Sequence, residues 1–87
     1  MARQTSHIVY IIQSKNNKSY IYKGYTTNLQ ERLKYHNSGN SKHTSKNRPW
    51  LLIFYSSFQS KNKAIDFEKY LKTASGIAFM RKRFIDY

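Results

Sequence analysis

The chain has no cysteine, one proline, three glycines and only four acidic residues among its 87. Without cysteine there is neither a disulfide nor a thiolate metal site. Nothing then marks the protein as secreted, and an intracellular, cytoplasmic address is the default expectation. No apolar run approaches the roughly 18 residues of a membrane span, and the opening MARQTSH lacks the hydrophobic region of a signal peptide. Met1–Ser6 is expected to be a frayed leader, and residues 7–87 one domain whose small core must draw on most of its apolar side chains. There is no repeat and no glycine-rich phosphate loop, and the isolated Gly24 does not make one.

What is abundant is positive charge. Sixteen Lys and Arg against four Asp and Glu give a formal net charge of +12. The natural partner of such a surface is a polyanion, and nucleic acid comes first, because Lys and Arg contacts to phosphate release condensed counterions. An anionic membrane usually needs a basic amphipathic helix with a free apolar face, and here the apolar faces are committed to a core.

Taken in order, His7–Gln13 (HIVYIIQ) is a run of β-branched residues that reads as a strand buried on both faces, with Ile8, Tyr10 and Ile12 on one side. SKNNK supplies a turn, and Ser19–Tyr25 returns as a second strand, so that Tyr10 and Tyr22 share a face if the register allows. Asn28 caps a helix over Leu29–Ser38, with Glu31 placed to reach back to the Asn28 backbone and Gly39 at the left-handed stop. Asn40–Arg48 is a polar loop whose Lys42, His43, Lys46 and Arg48 are candidate phosphate contacts. After Pro49, Trp50–Phe58 reads as a third strand with apolar residues on both faces, which helices must cover. Ser60 caps a second helix over Lys61–Thr73, Ser75-Gly76 breaks the chain, and Ile77–Ile85 forms a third helix.

Two helical stripes break the rule that core-facing positions are apolar. Leu29, Arg32, Leu33 and His36 fall at i, i+3, i+4 and i+7, and so do Ala64, Phe67, Glu68 and Leu71. Charged groups on such stripes cost free energy unless they are paired or face a wet cleft. Arg32 snorkelling from the stripe edge, a satisfied boundary His36 and a Glu68 paired to a nearby Lys or Arg form the plain structural reading. The other reading is chemical. Two strand tyrosines, an arginine and a histidine one turn apart, and one carboxylate are parts for hydrolysing a phosphodiester. Glu68 would hold a hard divalent cation such as Mg²⁺, Arg32 would neutralise phosphate, and a tyrosine or His36 would relay the proton of the attacking water. Tyrosine, with an ordinary pKa of about 10, needs a relay or a cation beside it.

With these residues in place, the chain resembles the GIY-YIG nuclease superfamily. Its two short strand motifs look like Ile8-Val9-Tyr10 and Tyr22-Lys23-Gly24, followed by GYTTNLQERLKYHNSG at Gly24–Gly39, RPW at Arg48–Trp50 and FEKYLKTASG at Phe67–Gly76. It is most similar to small stand-alone members related to the nuclease domain of the bacterial excision-repair incision enzyme. The resemblance implies an α+β fold, a three-stranded antiparallel sheet flanked by helices in the order β-β-α-β-α-α, and DNA hydrolysis with one divalent metal, Mg²⁺ or a substituting Mn²⁺. It further implies Tyr10 as proton acceptor, Tyr22 orienting water or phosphate, Arg32 on phosphate, His36 at the position of a family histidine or tyrosine, and Glu68 as metal ligand. Gly24 would let backbone approach the substrate, with Lys23 and Tyr25 beside it. Lys23 stands at an ordinarily apolar motif position and should point away from Tyr22.

Three functions are therefore in play. The first is a metal-dependent DNA endonuclease, the second a nuclease-like scaffold that only binds nucleic acid, and the third an assembly protein docking an acidic partner. The tyrosines, Arg32, His36 and Glu68 favour the first. RNA stays open as a substrate. Selectivity is left to the structure of the DNA, to a helper protein or to a homodimer, because no reader helix or zinc module is present.

Overall fold

The apolar run near the N-terminus becomes the centre of the sheet. The computed structural model describes residues 5–85, so the first four positions of the expected leader, and Asp86, lie outside the described residues. Strands β1 (His7–Ser14), β2 (Ile21–Thr26) and β3 (Trp50–Phe58) form one antiparallel sheet in the order β2-β1-β3. Because β1 is flanked on both sides, Val9, Tyr10, Ile11 and Ile12 are all buried whichever way they point. This is why the run does not alternate.

Register decides which side chains meet. Tyr10 lies opposite Gly24 on β2 and Tyr55 on β3, while Ile12 lies opposite Tyr22. Cross-strand partners share a face and neighbours along a strand alternate. Tyr10, Ile12, Tyr22 and Gly24 therefore occupy a front face, and Val9, Ile11, Lys23 and Tyr25 the back. Between Ile11 and Ile12 the partner on β3 jumps from Phe54 to Leu52, a bulge that lets Trp50 reach Ser14 at the far end of β1.

Helix α1 (Leu29–Ser38) covers the front, where Leu29 and Leu33 pack against Tyr10, Ile12 and Trp50. Its bounds match the sequence expectation because its signals are local. Asn28 Oδ1 accepts from Glu31 N at 3.1 Å, and Gly39 closes the helix at φ 87°. The reciprocal bond differs from expectation: Glu31 Oε2 takes the Asn28 side-chain amide, since the Asn28 N–H already donates to Thr26 Oγ1 at 3.0 Å.

Helices α2 (Lys61–Tyr70) and α3 (Ala74–Arg83) cover the back, bringing Ala64, Leu71 and Met80 onto Val9 and Ile11. Phenylalanines complete this half of the core, with Phe54 and Phe84 stacked at 4.2 Å. The break between these helices is not where Ser75-Gly76 suggested. It falls at Leu71–Thr73, because Thr73 Oγ1 accepts from Gly76 N at 3.1 Å and starts α3 three residues before Ile77. Gly76 is inside that first turn, and a Cβ on it would run into the Tyr70 carbonyl. The glycine permits a close approach of two helices.

β3 also departs from expectation. Leu51, Leu52 and Tyr55 stay exposed at 49%, 37% and 55%. β3 is an edge strand, and α1 ends against its first residue, where Asn37 Oδ1 accepts from Trp50 N at 2.6 Å.

Candidate active site

The site is built on Tyr10, the front-facing tyrosine of the central strand. Its ring leans over β2 into the space that Gly24 leaves open: a Cβ at Gly24 would lie 2.5 Å from Tyr10 Cζ. Gly24 is itself buried, so the room it was expected to give a substrate is taken by Tyr10.

From there the Tyr10 hydroxyl meets His36 Nε2 at 2.7 Å, and His36 Nδ1 meets Thr44 Oγ1 at 2.9 Å. Tyr10 and His36 are each 1% exposed and Thr44 is fully buried. The far end of this chain is anchored, because Trp50 Nε1 donates to the Thr44 carbonyl at 2.8 Å. Tyr22, diagonal to Tyr10 on the same face, places its half-buried ring 4.9 Å from that of His36. The stripe histidine is thus satisfied, as the plain reading required, but its partner is the very tyrosine that the chemical reading singled out.

Arg32, one turn before His36, is exposed and its guanidinium lies over the Tyr35 ring, 5.5 Å from the centroid. It lines an open cleft of about 440 Å³ together with Thr26, Thr27, Asn28, Glu31 and Tyr35. The snorkelling expected of a stripe-edge arginine brings the cation into this open cleft. Glu68 projects from α2 with its side chain 19% exposed, and its only ion pair among the described residues is Lys72 Nζ at 3.8 Å. With Lys72 exposed and the separation near the outer limit of an ion pair, this i,i+4 contact contributes little. The carboxylate therefore remains available to a cation.

Glu68 stands on α2, the helix that covers the back face, and among the described residues no hydrogen bond or ion pair joins it to the front-face residues, so its tie to them is electrostatic alone. Burial pushes the Tyr10 hydroxyl well above the ordinary tyrosine range; Tyr22 adds to the rise, Arg32 opposes it and Glu68 adds to it. Tyr10 is accordingly a neutral phenol that senses both the arginine and the carboxylate. Burial, and then the Arg32 charge, push the His36 imidazole below its usual range. A neutral His36 has one N–H and one lone pair, so it can take up a proton.

The other sequence candidates divide. Lys42, His43 and Lys46 are exposed on the loop after α1, as phosphate contacts would be. Arg48 is exposed too, but its Nε donates to the Ser45 carbonyl at 2.9 Å and its guanidinium packs over Gly39, so it holds the loop. Lys23 and Tyr25 do not share the front face with Tyr10, because strand alternation turns both to the back, the side that α2 and Glu68 cover. There Lys23 is half-buried near Lys72, with burial and then that charge lowering its pKa, and Tyr25 pairs with His7. Thr44 was missed. Nothing in NSKHTSKNR distinguishes it from its neighbours, because its role depends on a loop folding back onto a helix, with one 3-10 turn at Ser45–Asn47.

The GIY-YIG catalytic domain family matches residues 6–81, nearly the whole chain. The chain belongs to the GIY-YIG family. A UPF0213 protein of Staphylococcus haemolyticus is 41% identical over 70 residues, covering 79% of this chain and 83% of the relative. The UPF0213 protein YazA of Bacillus subtilis is 41% identical over 68 residues, covering 77% of this chain and 67% of its own length. The solution NMR structure of UPF0213 protein BH0048 from Bacillus halodurans superimposes with a TM-score of 0.54 at 31% identity, over 88% of this chain and 83% of that one. The three-stranded sheet with three helices is thus the architecture of a small GIY-YIG domain, and the family points to a nucleic acid as the substrate.

Proposed function

We propose that this GIY-YIG domain is an endonuclease that hydrolyses DNA phosphodiester bonds with one divalent metal, Mg²⁺ or Mn²⁺, held by Glu68. The observation that carries the reading is the buried 2.7 Å contact between Tyr10 and neutral His36, with Arg32 exposed one turn away. A scaffold that only binds nucleic acid needs basic surface and aromatic rings; it does not require a desolvated tyrosine bonded to a histidine with an exposed arginine one turn away.

Tyr10, as a neutral phenol, is not a base by itself. It passes protons on: the attacking water gives a proton to Tyr10 Oη as Tyr10 gives its own to His36 Nε2. One O–H bond forms on Tyr10 while another breaks, and the imidazole ends charged. Arg32 neutralises the non-bridging phosphate oxygens, and Tyr22, at the more open side of the pair, orients the water or the phosphate. Among the described residues no group of three or more His, Cys, Asp or Glu forms a ready cage, so a metal on Glu68 would have to take its other ligands from water and phosphate oxygens, as Mg²⁺ commonly does. Such an ion supplies charge stabilisation at the phosphate and the leaving oxygen.

The test is cleavage of labelled single-stranded, duplex, nicked, flapped and branched DNA, and RNA, with Mg²⁺, Mn²⁺ or EDTA, using the wild type and Glu68→Ala. Metal-dependent cutting by the wild type alone is expected, with DNA binding kept by the variant. Equal cutting by both proteins removes Glu68 from the mechanism, and binding without cutting moves the protein to the scaffold reading.

A further inference from the structure

Thr44 occupies the N-cap position of the Ser45–Asn47 turn, yet its side chain makes no capping hydrogen bond. Its hydroxyl instead points inward to His36 Nδ1, at 2.9 Å, in a fully buried setting. A threonine at a cap position ordinarily satisfies an orphan N–H of the turn it precedes. Here that use is given up in favour of a ring nitrogen eight residues earlier.

The ring has two buried nitrogens and, when neutral, a single proton. Tyr10, kept a phenol by its burial, has its hydroxyl 2.7 Å from Nε2. A phenol O–H donating to Nε2 requires the lone pair there, which places the ring proton on Nδ1, donating to Thr44 Oγ1. The opposite arrangement, with Thr44 donating to Nδ1 and Nε2–H donating to Tyr10, leaves no acceptor for the proton that Tyr10 must hand on. We propose that Thr44 is a positioning residue: by accepting from Nδ1–H, its hydroxyl fixes the His36 tautomer that leaves Nε2 free to receive the Tyr10 proton.

The rest of the fold supports this division of labour. The backbone of Thr44 is held independently of its side chain, through its carbonyl and Trp50 Nε1 at 2.8 Å. A substitution that keeps the shape, Thr44→Val, therefore removes the hydroxyl while leaving the loop tied down. It strands Nδ1–H without a partner in a buried site, so the proton moves to Nε2 and faces Tyr10.

The inference rests on the proposed hydrolysis for its choice of tautomer, since the two distances at the ring fit either one, and the two are tested separately. Histidine ring ¹⁵N shifts, assigned through long-range ¹H–¹⁵N correlation, report the tautomer without any substrate. The expected result is Nδ1–H in the wild type and in Thr44→Ser, and Nε2–H in Thr44→Val. On the preferred substrate of the cleavage panel, kcat falls by about tenfold or more in Thr44→Val with KM little changed, and Thr44→Ser restores it. Nε2–H in the wild type, Nδ1–H retained in Thr44→Val, or a tautomer switch with unaltered kcat each overturns the proposal. A wild type that never cuts defeats the proposed function, while the ring shifts still decide whether Thr44 sets the tautomer.

Discussion

On the front face of the sheet Tyr10 meets His36 across 2.7 Å, and on the back face Tyr25 meets His7 across 2.8 Å. The bond is the same; the surroundings are not. The front pair is desolvated, its rings are tilted at 54°, and its histidine is gripped on both nitrogens, with Arg32 one turn away. The back pair is half-buried, its rings stack at 12° with centroids 6.1 Å apart, and among the described residues no second hydrogen bond holds the His7 ring. Tyr25 also packs against the main core. A histidine–tyrosine contact is therefore not a site in itself. Exclusion of water, a fixed ring and a cation one turn away set the front pair apart and support its proposed role as a proton path. The other pair braces the start of β1 against β2.

The sharpest way to break the comparison is to remove one hydroxyl at a time. Tyr10→Phe should lower cleavage by about 10²–10⁴-fold, the usual range for a lost general acid–base group. Tyr25→Phe should leave cleavage intact and cost about 1 kcal/mol of stability, the net worth of one hydrogen bond. Single-turnover cleavage and urea unfolding of both variants give the two numbers, and equal losses of activity would erase the distinction between the faces.

A smaller effect tests how the front pair is made room for. Gly24→Ala places a methyl 2.5 Å from Tyr10 Cζ and 2.9 Å from Cε1, so the ring must shift and its contact with His36 is disturbed. The expected cost is about 1–3 kcal/mol, as for other overpacked cores, and it should come with reduced cleavage although no polar group has been lost. A fully active, equally stable Gly24→Ala protein would mean that the glycine serves something other than Tyr10.

Why some of this was legible in the sequence and some was not follows from the range of the signals. The bounds of α1 and the start of α2 are written in their caps, Asn28, Gly39 and Ser60, and β1 in an unbroken β-branched run. Arg32, His36 and Glu68 stood out because helical periodicity exposes a charge on an apolar stripe without knowledge of what faces it. Alternation alone already turned Lys23 away from Tyr22, and the structure bears this out, with Tyr25 on the same back face. Thr44 and the true task of Gly24 were hidden, since each depends on an element brought from elsewhere: the loop folding onto α1, and the Tyr10 ring crossing from β1 to β2. The exposed residues of β3 were misread for a related reason. Their apolar pattern is that of a covered strand, and only the strand order shows that β3 is an edge.

The smallest effect, and the one that bears on how the buried pair is maintained, is the pH dependence of stability. In the folded chain His36 is held below its ordinary range by burial and by Arg32, with Tyr10, Tyr22 and Tyr35 as its other ring neighbours. In the unfolded chain it titrates near the ordinary value of about 6.5. Between the two values the unfolded chain binds more protons, so stability rises with pH there. The contribution of the neutral ring is fully present above about pH 6.5 and is lost as pH falls from there through the folded pKa. Urea midpoints across this window should fall for the wild type and lose that part of the slope in His36→Asn. The direction also constrains the chemistry: acidification removes the Nε2 lone pair that receives the Tyr10 proton, so cleavage should decline on the acid side in the order set by the folded His36. A cleavage rate that stays level while the ¹⁵N shifts show His36 becoming charged would separate the buried pair from proton transfer, leaving Tyr10 and His36 to hold the front face together.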